Sequence, residues 1–182
     1  MDNISLKALA KINLGLDVVR RRDDGYHEVR MIMQTINLFD RLEIKKIKES
    51  AIKIHTNLFF LPVNENNLVY KAAKLLIDEF GIQEGVSVGL TKKIPVAAGM
   101  AGGSTDAAAM LFGMNRLFGL GLSKKQLMER GVKIGADVPY CIMRGTALAE
   151  GIGDKLSPLP AMVKCPVLIA KPQISVSTKF VY

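Results

Sequence analysis

The chain has 182 residues, of which 49% are hydrophobic and 23% are charged, and these proportions favour one ordinary globular domain over a disordered or fibrous chain. Lys, Gly or Asp interrupts every apolar stretch, so none approaches the roughly 20 apolar residues that a membrane-spanning helix needs. The net charge of +8 suits any polyanion, from nucleic acid to a nucleotide triphosphate, and does not choose between them.

The first twenty residues predict a strand and no export signal. Every even position from Ile4 to Val18 is apolar, which is the period-two pattern of a half-buried strand that is bent or broken in its middle. Odd positions then face away from the core, so Lys11 and Asn13 lie side by side on the opposite face. A secretory signal would instead show a basic start followed by an apolar block. We therefore expect a cytoplasmic protein.

The rest of the chain is predicted to alternate between strands and helices. Asn66 or Asn67 can cap a first helix that ends at Gly81, and Ser123 with Gln126 has the spacing of a capping box. The two cysteines, at 141 and 165, have no metal-binding or redox spacing and are expected to be buried thiols. The predicted strands lie at 26–38, 42–44, 52–54, 86–90, 146–149 and 165–170, and the predicted helices at 68–80, at 107–118 and from 123 to near 131 or 135.

The segment from Ile94 to Asp106 combines three closely spaced glycines with Ser104 and Thr105. Glycines let a backbone approach a ligand closely, and the two hydroxyl residues are natural caps for the helix that follows. Unpaired N–H groups and the positive end of a helix dipole would then meet at an anion site suited to nucleotide phosphates. The alternative is a glycine-rich turn that only packs a helix against a sheet, and the hydroxyl residues favour the phosphate site.

Four segments together resemble one protein family. The sequence Pro-Val-Ala-Ala-Gly-Met-Ala-Gly-Gly-Ser-Thr at 95–105 resembles the ATP-binding motif of the GHMP kinases. Ala-Lys-Ile-Asn-Leu at 10–14, Asp-Gly-Tyr-His at 24–27 and Gly-Ala-Asp-Val-Pro at 135–139 follow the family's order and spacing. Each segment alone is weak evidence, whereas the set is specific. It narrows the resemblance to members whose alcohol substrate carries a cytidine diphosphate group.

The resemblance implies an α+β fold, namely a two-layer GHMP kinase N-terminal domain in which a mixed, mainly antiparallel sheet packs against helices. It implies an ATP-binding domain at 1–170 and, at 171–182, the start of a crossover to a C-terminal domain that this sequence lacks. Kinases of this kind close around the substrate to exclude water. We therefore expect the chain alone to bind nucleotide weakly and to transfer phosphate slowly or not at all.

The resemblance also implies residue roles. Asp137 would take the proton from the substrate hydroxyl, while Lys11 would keep Asp137 ionised and stabilise the developing charge. Mg²⁺ is expected to accompany ATP, and no protein ligand for it is identified. Alternatively, Asp137 is a turn or cap residue and Lys11 is an exposed strand lysine. The implied nucleotide-binding positions are Asn67, Lys92, Pro95, Val96, Ala97, Ala98, Gly99, Met100, Ala101, Gly102, Gly103, Ser104 and Thr105, and the implied substrate-binding positions are Asn13, Tyr26, His27 and Tyr182, the last three at the cytosine.

Three other functions remain open. A GHMP kinase for homoserine, mevalonate or a sugar would share the phosphate loop but lack the Asp-Gly-Tyr-His segment. A basic, non-catalytic nucleic-acid-binding domain would fit the charge, although the basic run of Lys45, Lys46 and Lys48 lacks the aromatic residues that stack on bases. An inactive relative is opposed only by the retained Lys11 and Asp137. The favoured partner is a small molecule, without nucleic acid or membrane.

Overall fold

The structure, a computed structural model, describes residues 1–23, 25 and 27–172. Within this part of the chain it contains six strands and four helices. None of these helices combines the length and the apolar character needed to cross a bilayer. The strands are β1 (Asn3–Arg21), β2 (His27–Ile47), β3 (Ile52–Thr56), β4 (Gly85–Thr91), β5 (Thr146–Glu150) and β6 (Lys155–Pro158), and the helices are α1 (Leu68–Phe80), α2 (Gly102–Leu117), α3 (Lys124–Val132) and α4 (Val138–Met143).

The six strands form one mixed sheet with β2 as its central strand. β2 pairs antiparallel with β1 along its length, with β4 over 41–47 and with β5 over 31–34. β3 pairs parallel with β4, and β6 pairs antiparallel with β5. Helices α1 and α2 contact each other, and α2 also contacts β1 and β2. This is the predicted two-layer α+β fold with a mainly antiparallel sheet.

The hydrophobic core lies between the sheet and α2. Met33, Leu42 and Ile44 of β2 are fully buried, as are Met110 and Met114 of α2. At about 25 cal/mol for each Å² of apolar surface removed from water, such burial is the main stabilising contribution to the fold. It holds α2 against the centre of the sheet, so the position of the helix N-terminus is determined by the core.

Two of the predicted helix boundaries are confirmed by their caps. Asn67 caps α1, because its side chain accepts a hydrogen bond from the backbone N–H of Val69. The helix ends at Gly81, which has the left-handed conformation (φ 60°) that favours glycine. Ser123 and Gln126 form the predicted capping box of α3. Local sequence signals were therefore sufficient for these two helices.

The start of α2 differs from the prediction. The helix begins at Gly102, and its N-cap is Ala101, which has a left-handed backbone and makes no side-chain cap. The prediction that Ser104 and Thr105 cap the helix is wrong, because both lie inside its first turns. The Thr105 hydroxyl instead donates to the carbonyl of Leu9 at 2.8 Å. It thereby ties α2 to β1.

The predicted core face of β1 is confirmed only in its first half. Leu14, Leu16 and Val18 are 48%, 37% and 43% exposed, so the even-numbered side chains of the second half are not enclosed by the core. The expected break is present as a register shift between Leu9 and Lys11. Period-two patterning therefore found the strand but overestimated the length of its buried face.

The strand predicted at 165–170 is wrong. Residues 159–172 have no regular secondary structure, and no described strand pairs with them. Leu168 is 97% exposed, and the thiol of Cys165 is exposed instead of buried, whereas Cys141 is buried as predicted. An apolar run without a neighbouring strand has no partner for its backbone hydrogen bonds.

We predict that Gly85→Ala destabilises the domain strongly and that Gly89→Ala in the same strand does not. A Cβ at Gly85 would overlap the backbone carbonyl oxygens of Ala51 and Glu49, whereas the nearest atom to a Cβ at Gly89 is 3.8 Å away. Overpacking against backbone should lower the free energy of unfolding by about 2 kcal/mol or more. Urea denaturation of both variants measures this, and equal stabilities would contradict the prediction.

Candidate active site

A cavity of about 400 Å³ opens where β4 ends and α2 begins. Residues 95–104 form much of its wall, and the polar part of the lining also includes Asn67, Lys92, Asp106 and Asp137. The structure thus brings together segments that are far apart in the sequence, such as those of Asn67 and Asp137. Most of the predicted nucleotide-binding positions share this cavity.

The loop before α2 presents backbone N–H groups to the cavity. Ala97, Gly99 and Ala101 have left-handed backbones, with φ values of 54°, 69° and 54°, a conformation that costs about 1 kcal/mol for each alanine. Among the described residues, the backbone amides of Gly102, Gly103 and Ser104 donate no hydrogen bond to a protein acceptor. These amides and the positive end of α2 form a site suited to an anion.

Lys11 and Asp137 face each other beside this cavity. The Lys11 ammonium lies 3.9 Å from Oδ2 of Asp137 and donates to Oδ1 of Asn13 at 3.1 Å. Lys11 is only 5% exposed, and its backbone N–H donates to the carbonyl of Met100 in the loop at 3.2 Å. It is therefore not the exposed strand lysine of the alternative interpretation.

Asp137 is held at the start of α4 with its carboxylate available. Its backbone carbonyl accepts from the N–H of Cys141, but its side chain makes no capping hydrogen bond and is 33% exposed. Asp137 thus occupies a turn and the N-cap position of α4, as in the alternative interpretation, but its side chain does not serve as the cap. A half-exposed carboxylate beside a buried ammonium can accept a proton from a hydroxyl group in the cavity.

One rung of the sheet positions both members of this pair. Thr35 on β2 lies opposite Lys11 on β1, and the Thr35 hydroxyl is 3.0 Å from the Tyr140 hydroxyl on α4. Tyr140 donates in turn to the carbonyl of Gly145 at 2.7 Å. Burial of the tyrosine raises its pKa to about 12, so it stays protonated. The distance between Lys11 and Asp137 is thus coupled to the β2 backbone.

A buried cluster of three charged side chains lies below the loop. The Lys92 ammonium bonds to Oδ2 of Asp40 and, at 2.6 Å, to Oδ2 of Asp106. Asp40 also accepts from the backbone N–H groups of Lys93 and Ile94 through Oδ1. Both carboxylates are at most 2% exposed. The cluster connects the middle of β2, the end of β4 and the first turns of α2.

Burial and ion pairing shift the pKa of the Asp106 carboxyl in opposite directions. Removal from water raises the pKa of Asp106, the Lys92 ammonium lowers it, and the neighbouring Asp40 raises it again, with a net value of about 8. The largest of these causes is burial. At neutral pH the protonated form of Asp106 is therefore favoured.

Sequence reasoning missed the role of Asp40 and Asp106. A signal for Asp40 was present, because it follows Leu38 and precedes Leu42 at the even, core-facing positions of β2, where a charged residue requires a buried partner. No such signal marked Asp106, whose helical position could equally have been exposed. Pairing with Lys92 depends on contacts between segments 14 and 52 residues apart.

Several predicted positions have other contacts. The Asn67 side chain is engaged at both ends, since it caps α1 through Oδ1 and donates to the carbonyl of Pro62 through Nδ2 at 2.7 Å. The Lys92 ammonium is likewise committed to the buried cluster. Thr105 is not part of the cavity lining. The Asn67 and Lys92 side chains thus form part of the cavity wall while bonded within the protein.

The predicted cytosine-binding residue His27 is not among the residues that line the cavity. His27 begins β2 and pairs with Arg21 at the far end of the hairpin. It precedes Thr35 by eight positions, which is roughly 25 Å of extended strand. Tyr26 and Tyr182 lie outside the described residues. Of the two described substrate-binding positions, Asn13 is next to the site through the hydrogen bond that its side chain accepts from Lys11.

A second cavity, of about 860 Å³, lies between the start of β1, α2 and α4. It contains none of the predicted site residues. Its rim carries Lys7, Arg116, Lys124 and Arg144, and among the described residues none of these four forms an ion pair with a carboxylate. The described residues also contain no cluster of three or more His, Cys, Asp or Glu side chains able to hold a metal ion.

Comparison with known proteins gives consistent results. Residues 67–145 match the GHMP kinases N terminal domain. A 4-diphosphocytidyl-2-C-methyl-D-erythritol kinase of Lachnospira eligens is 63% identical over 182 residues, which are the whole of this chain and 63% of the relative. The kinase of the same name from Caldicellulosiruptor saccharolyticus is 54% identical over 97% of this chain and 61% of its own length. The chain thus spans somewhat under two thirds of these curated relatives.

Solved structures share the fold. The crystal structure of a 4-(cytidine 5'-diphospho)-2C-methyl-D-erythritol kinase superposes with a TM-score of 0.76 and 36% identity, over 86% of this chain and 55% of the other. A homoserine kinase from Cytophaga hutchinsonii superposes with a TM-score of 0.67 at 22% identity, over 98% of this chain and 58% of the other. The second likeness concerns the fold alone.

We predict that Lys92→Met destabilises the domain by about 3–5 kcal/mol, because it leaves the buried Asp40 carboxylate without its cation and Asp106 without its hydrogen-bond donor. Lys74→Met is the matched control, since Lys74 forms an exposed helical ion pair with Asp78 that contributes about 0.5 kcal/mol or less. Urea denaturation at pH 7 compares the two. Similar losses in both variants would show that the buried cluster adds nothing beyond a surface ion pair.

We also predict that Asp106→Asn changes how stability depends on pH. The pKa of Asp106 is about 8 when folded and about 4 when unfolded, so between these values the folded protein binds the extra proton. The contribution of Asp106 to the free energy of unfolding is therefore largest below about pH 4 and decreases as the pH rises to about 8. Denaturation at pH 5–9 should show the variant gaining stability relative to wild type up to about pH 8. A pH-independent difference would contradict this.

Proposed function

We propose that the chain belongs to the GHMP kinases, whose N-terminal domain matches residues 67–145, and that it binds ATP at the N-terminus of α2. We further propose that the protein transfers the γ-phosphate to the 2-hydroxyl of 4-diphosphocytidyl-2-C-methyl-D-erythritol, a step of non-mevalonate isoprenoid precursor synthesis. The observation that carries the proposal is the Lys11–Asp137 pair at 3.9 Å beside a cavity lined by the free amides of residues 102–104.

The proposed chemistry divides between backbone and side chains. Phosphoryl transfer needs positioning and charge stabilisation more than covalent help from the protein. The amides at the start of α2 hold the phosphates, which leaves two side chains for the transfer itself. Asp137 accepts the proton of the attacking hydroxyl, and the Lys11 ammonium offsets negative charge on Asp137 and on the transferring group. Asn13 orients Lys11 through the 3.1 Å hydrogen bond.

The substrate is proposed from the relatives. Proteins that are 54% and 63% identical to this chain carry the name of the methylerythritol kinase, whereas the homoserine kinase shares 22% identity. The Asp-Gly-Tyr-His segment at 24–27 supports the same choice, and we keep Tyr26, His27 and Tyr182 as proposed cytosine-binding residues. ATP and the cytidine-linked substrate are cytoplasmic metabolites, so we propose that the reaction takes place in the cytoplasm.

Magnesium is proposed to arrive with the nucleotide. The lining does not fit a protein-bound metal, because its two carboxylates, Asp106 and Asp137, are each close to a lysine ammonium. Mg²⁺ prefers octahedral oxygen ligands and keeps several waters, and phosphate oxygens commonly supply the remainder. When bound with ATP, the ion neutralises part of the charge on the phosphates.

The experiment that tests this function measures ATP binding and then substrate choice. Binding is measured by calorimetry with Mg²⁺ and ATP. Transfer from radiolabelled ATP is followed in long single-turnover incubations with 4-diphosphocytidyl-2-C-methyl-D-erythritol, homoserine, mevalonate or galactose. We expect a single ATP site and label transferred to the cytidine-linked substrate alone. Absence of ATP binding, or preferred transfer to another alcohol, would overturn the proposal.

We predict that Asp137→Asn and Lys11→Met each lower the transfer rate by at least about 10²-fold, while ATP affinity changes by less than about threefold for Asp137→Asn. We expect the rate to fall without a matching loss of ATP affinity, because Asp137 acts on the substrate hydroxyl whereas the amides hold the phosphates. Asp78→Asn and Lys45→Met remove the same charges from exposed positions and should leave the rate unchanged. Equal losses in the control variants would point to net charge instead of the pair.

A further inference from the structure

Asp106 has an unusual hydrogen-bonding state at the edge of the proposed nucleotide site. The residue is 2% exposed, and its Oδ2 accepts from Lys92 at 2.6 Å. Among the described residues, its Oδ1 is the only buried side-chain nitrogen or oxygen without a hydrogen-bond partner. An ionised carboxylate oxygen in such a place has lost its water without replacement, which disfavours the charged form. The residue also contributes to the cavity wall.

The charges of the buried cluster do not balance when both carboxylates are ionised. Asp40 accepts three hydrogen bonds, from the Lys92 ammonium and from the amides of Lys93 and Ile94, so both of its oxygens have partners. One ammonium then neutralises one carboxylate. An ionised Asp106 would leave a net negative charge buried below the loop, whereas a protonated Asp106 makes the cluster neutral.

A bound nucleotide would add more negative charge close to this cluster. The free amides of Gly102, Gly103 and Ser104 lie within one helical turn of Asp106 in the sequence of α2. A Cβ built on Gly102 would lie 3.3 Å from the Lys92 ammonium, so the cluster is immediately behind those amides. Phosphates bound there would repel an ionised Asp106 across a poorly screened distance.

We propose that Asp106 is a positioning residue for the nucleotide, and that the phosphate-binding form of the protein is the one in which Asp106 carries a proton. In that form the positive end of α2 and the Lys92 ammonium act on the phosphates without competition from a second buried carboxylate. The proton comes from solvent on binding and returns to solvent on release. This inference rests on the proposed function, because it requires ATP to bind at α2.

The affinity for ATP should consequently depend on pH in one direction. Burial raises the pKa of Asp106 to about 8, so the protein is mostly in the binding form below this pH. Above it, ATP binding requires uptake of a proton, and the affinity falls by at most tenfold per pH unit. Asp106→Asn keeps the shape of the side chain without a titrating proton, and its affinity should not change across this range.

Other ionisable groups near Asp106 do not produce the same effect. They are Asp40 on β2, Lys92 and Lys93 at the end of β4, and Cys141 on α4, whose pKa is raised to about 12 by burial. Asp137, which pairs with Lys11, lines the same cavity. All of them are present in Asp106→Asn, so the difference between the two proteins isolates Asp106. Phosphate groups ionise near pH 6, below the range of the test.

The test is calorimetric titration of the chain with ATP and Mg²⁺ from pH 7.5 to 9.5, in two buffers with different ionisation enthalpies. Wild type, Asp106→Asn and the exposed control Asp78→Asn are compared, and thermal unfolding at pH 7.5 verifies that each is folded. We expect wild type and Asp78→Asn to lose affinity with rising pH and to take up protons near pH 8.5. Asp106→Asn should bind with constant affinity and take up none.

Three results would overturn the proposal. If the ATP affinity of Asp106→Asn depended on pH as that of wild type does, the proton would be taken up by another group. Weak binding by Asp106→Asn at every pH, together with loss of the dependence on Mg²⁺, would make the carboxylate a metal ligand. Failure of wild type to bind ATP at any pH would overturn the proposed function and this inference together, whereas ATP binding without proton uptake would overturn the inference alone.

Discussion

The ammonium of Lys92, enclosed by Asp40 and Asp106, is the interaction on which the geometry of the cavity depends. It joins the central strand, the end of β4 and the first turns of α2 at one buried point. Because buried charges are stable only when they are paired and hydrogen-bonded, the three segments cannot separate without exposing an unpaired charge. The loop between β4 and α2 is therefore held at both of its ends.

This constraint explains how a site can be built largely from backbone. The loop contains alanines with left-handed backbones at 97 and 101, a conformation that such residues adopt only when surrounding structure enforces it. Asp40 supplies part of that enforcement through its hydrogen bonds to the amides of Lys93 and Ile94. Amides beyond the loop then remain free for a ligand. The buried cluster thus holds the loop rigid and also keeps the amides at the start of α2 unpaired.

The central strand also relates the proposed phosphate site to the proposed catalytic pair. β2 contributes Asp40 below the loop and, five positions earlier, Thr35, which pairs with Lys11 and contacts Tyr140 of the helix that carries Asp137. Strand geometry sets the distance between these two residues, so the two halves of the site are placed by one rigid element. Sites supported in this way keep reacting groups aligned better than sites on loops alone.

The sequence by itself determined the strands and helices that have strong local signals, and it marked the loop at 95–104 that forms much of the cavity wall. The caps of α1 and α3, the glycine-rich segment and the pairing of Lys11 with Asn13 follow from spacing within a few residues. Only the tertiary structure decided that Asp106 and Lys92 share a buried cluster with Asp40, that β1 loses its cover after Ile12, and that the run at 165–170 forms no strand. These features depend on contacts between distant segments, whose free energy is absent from any local pattern.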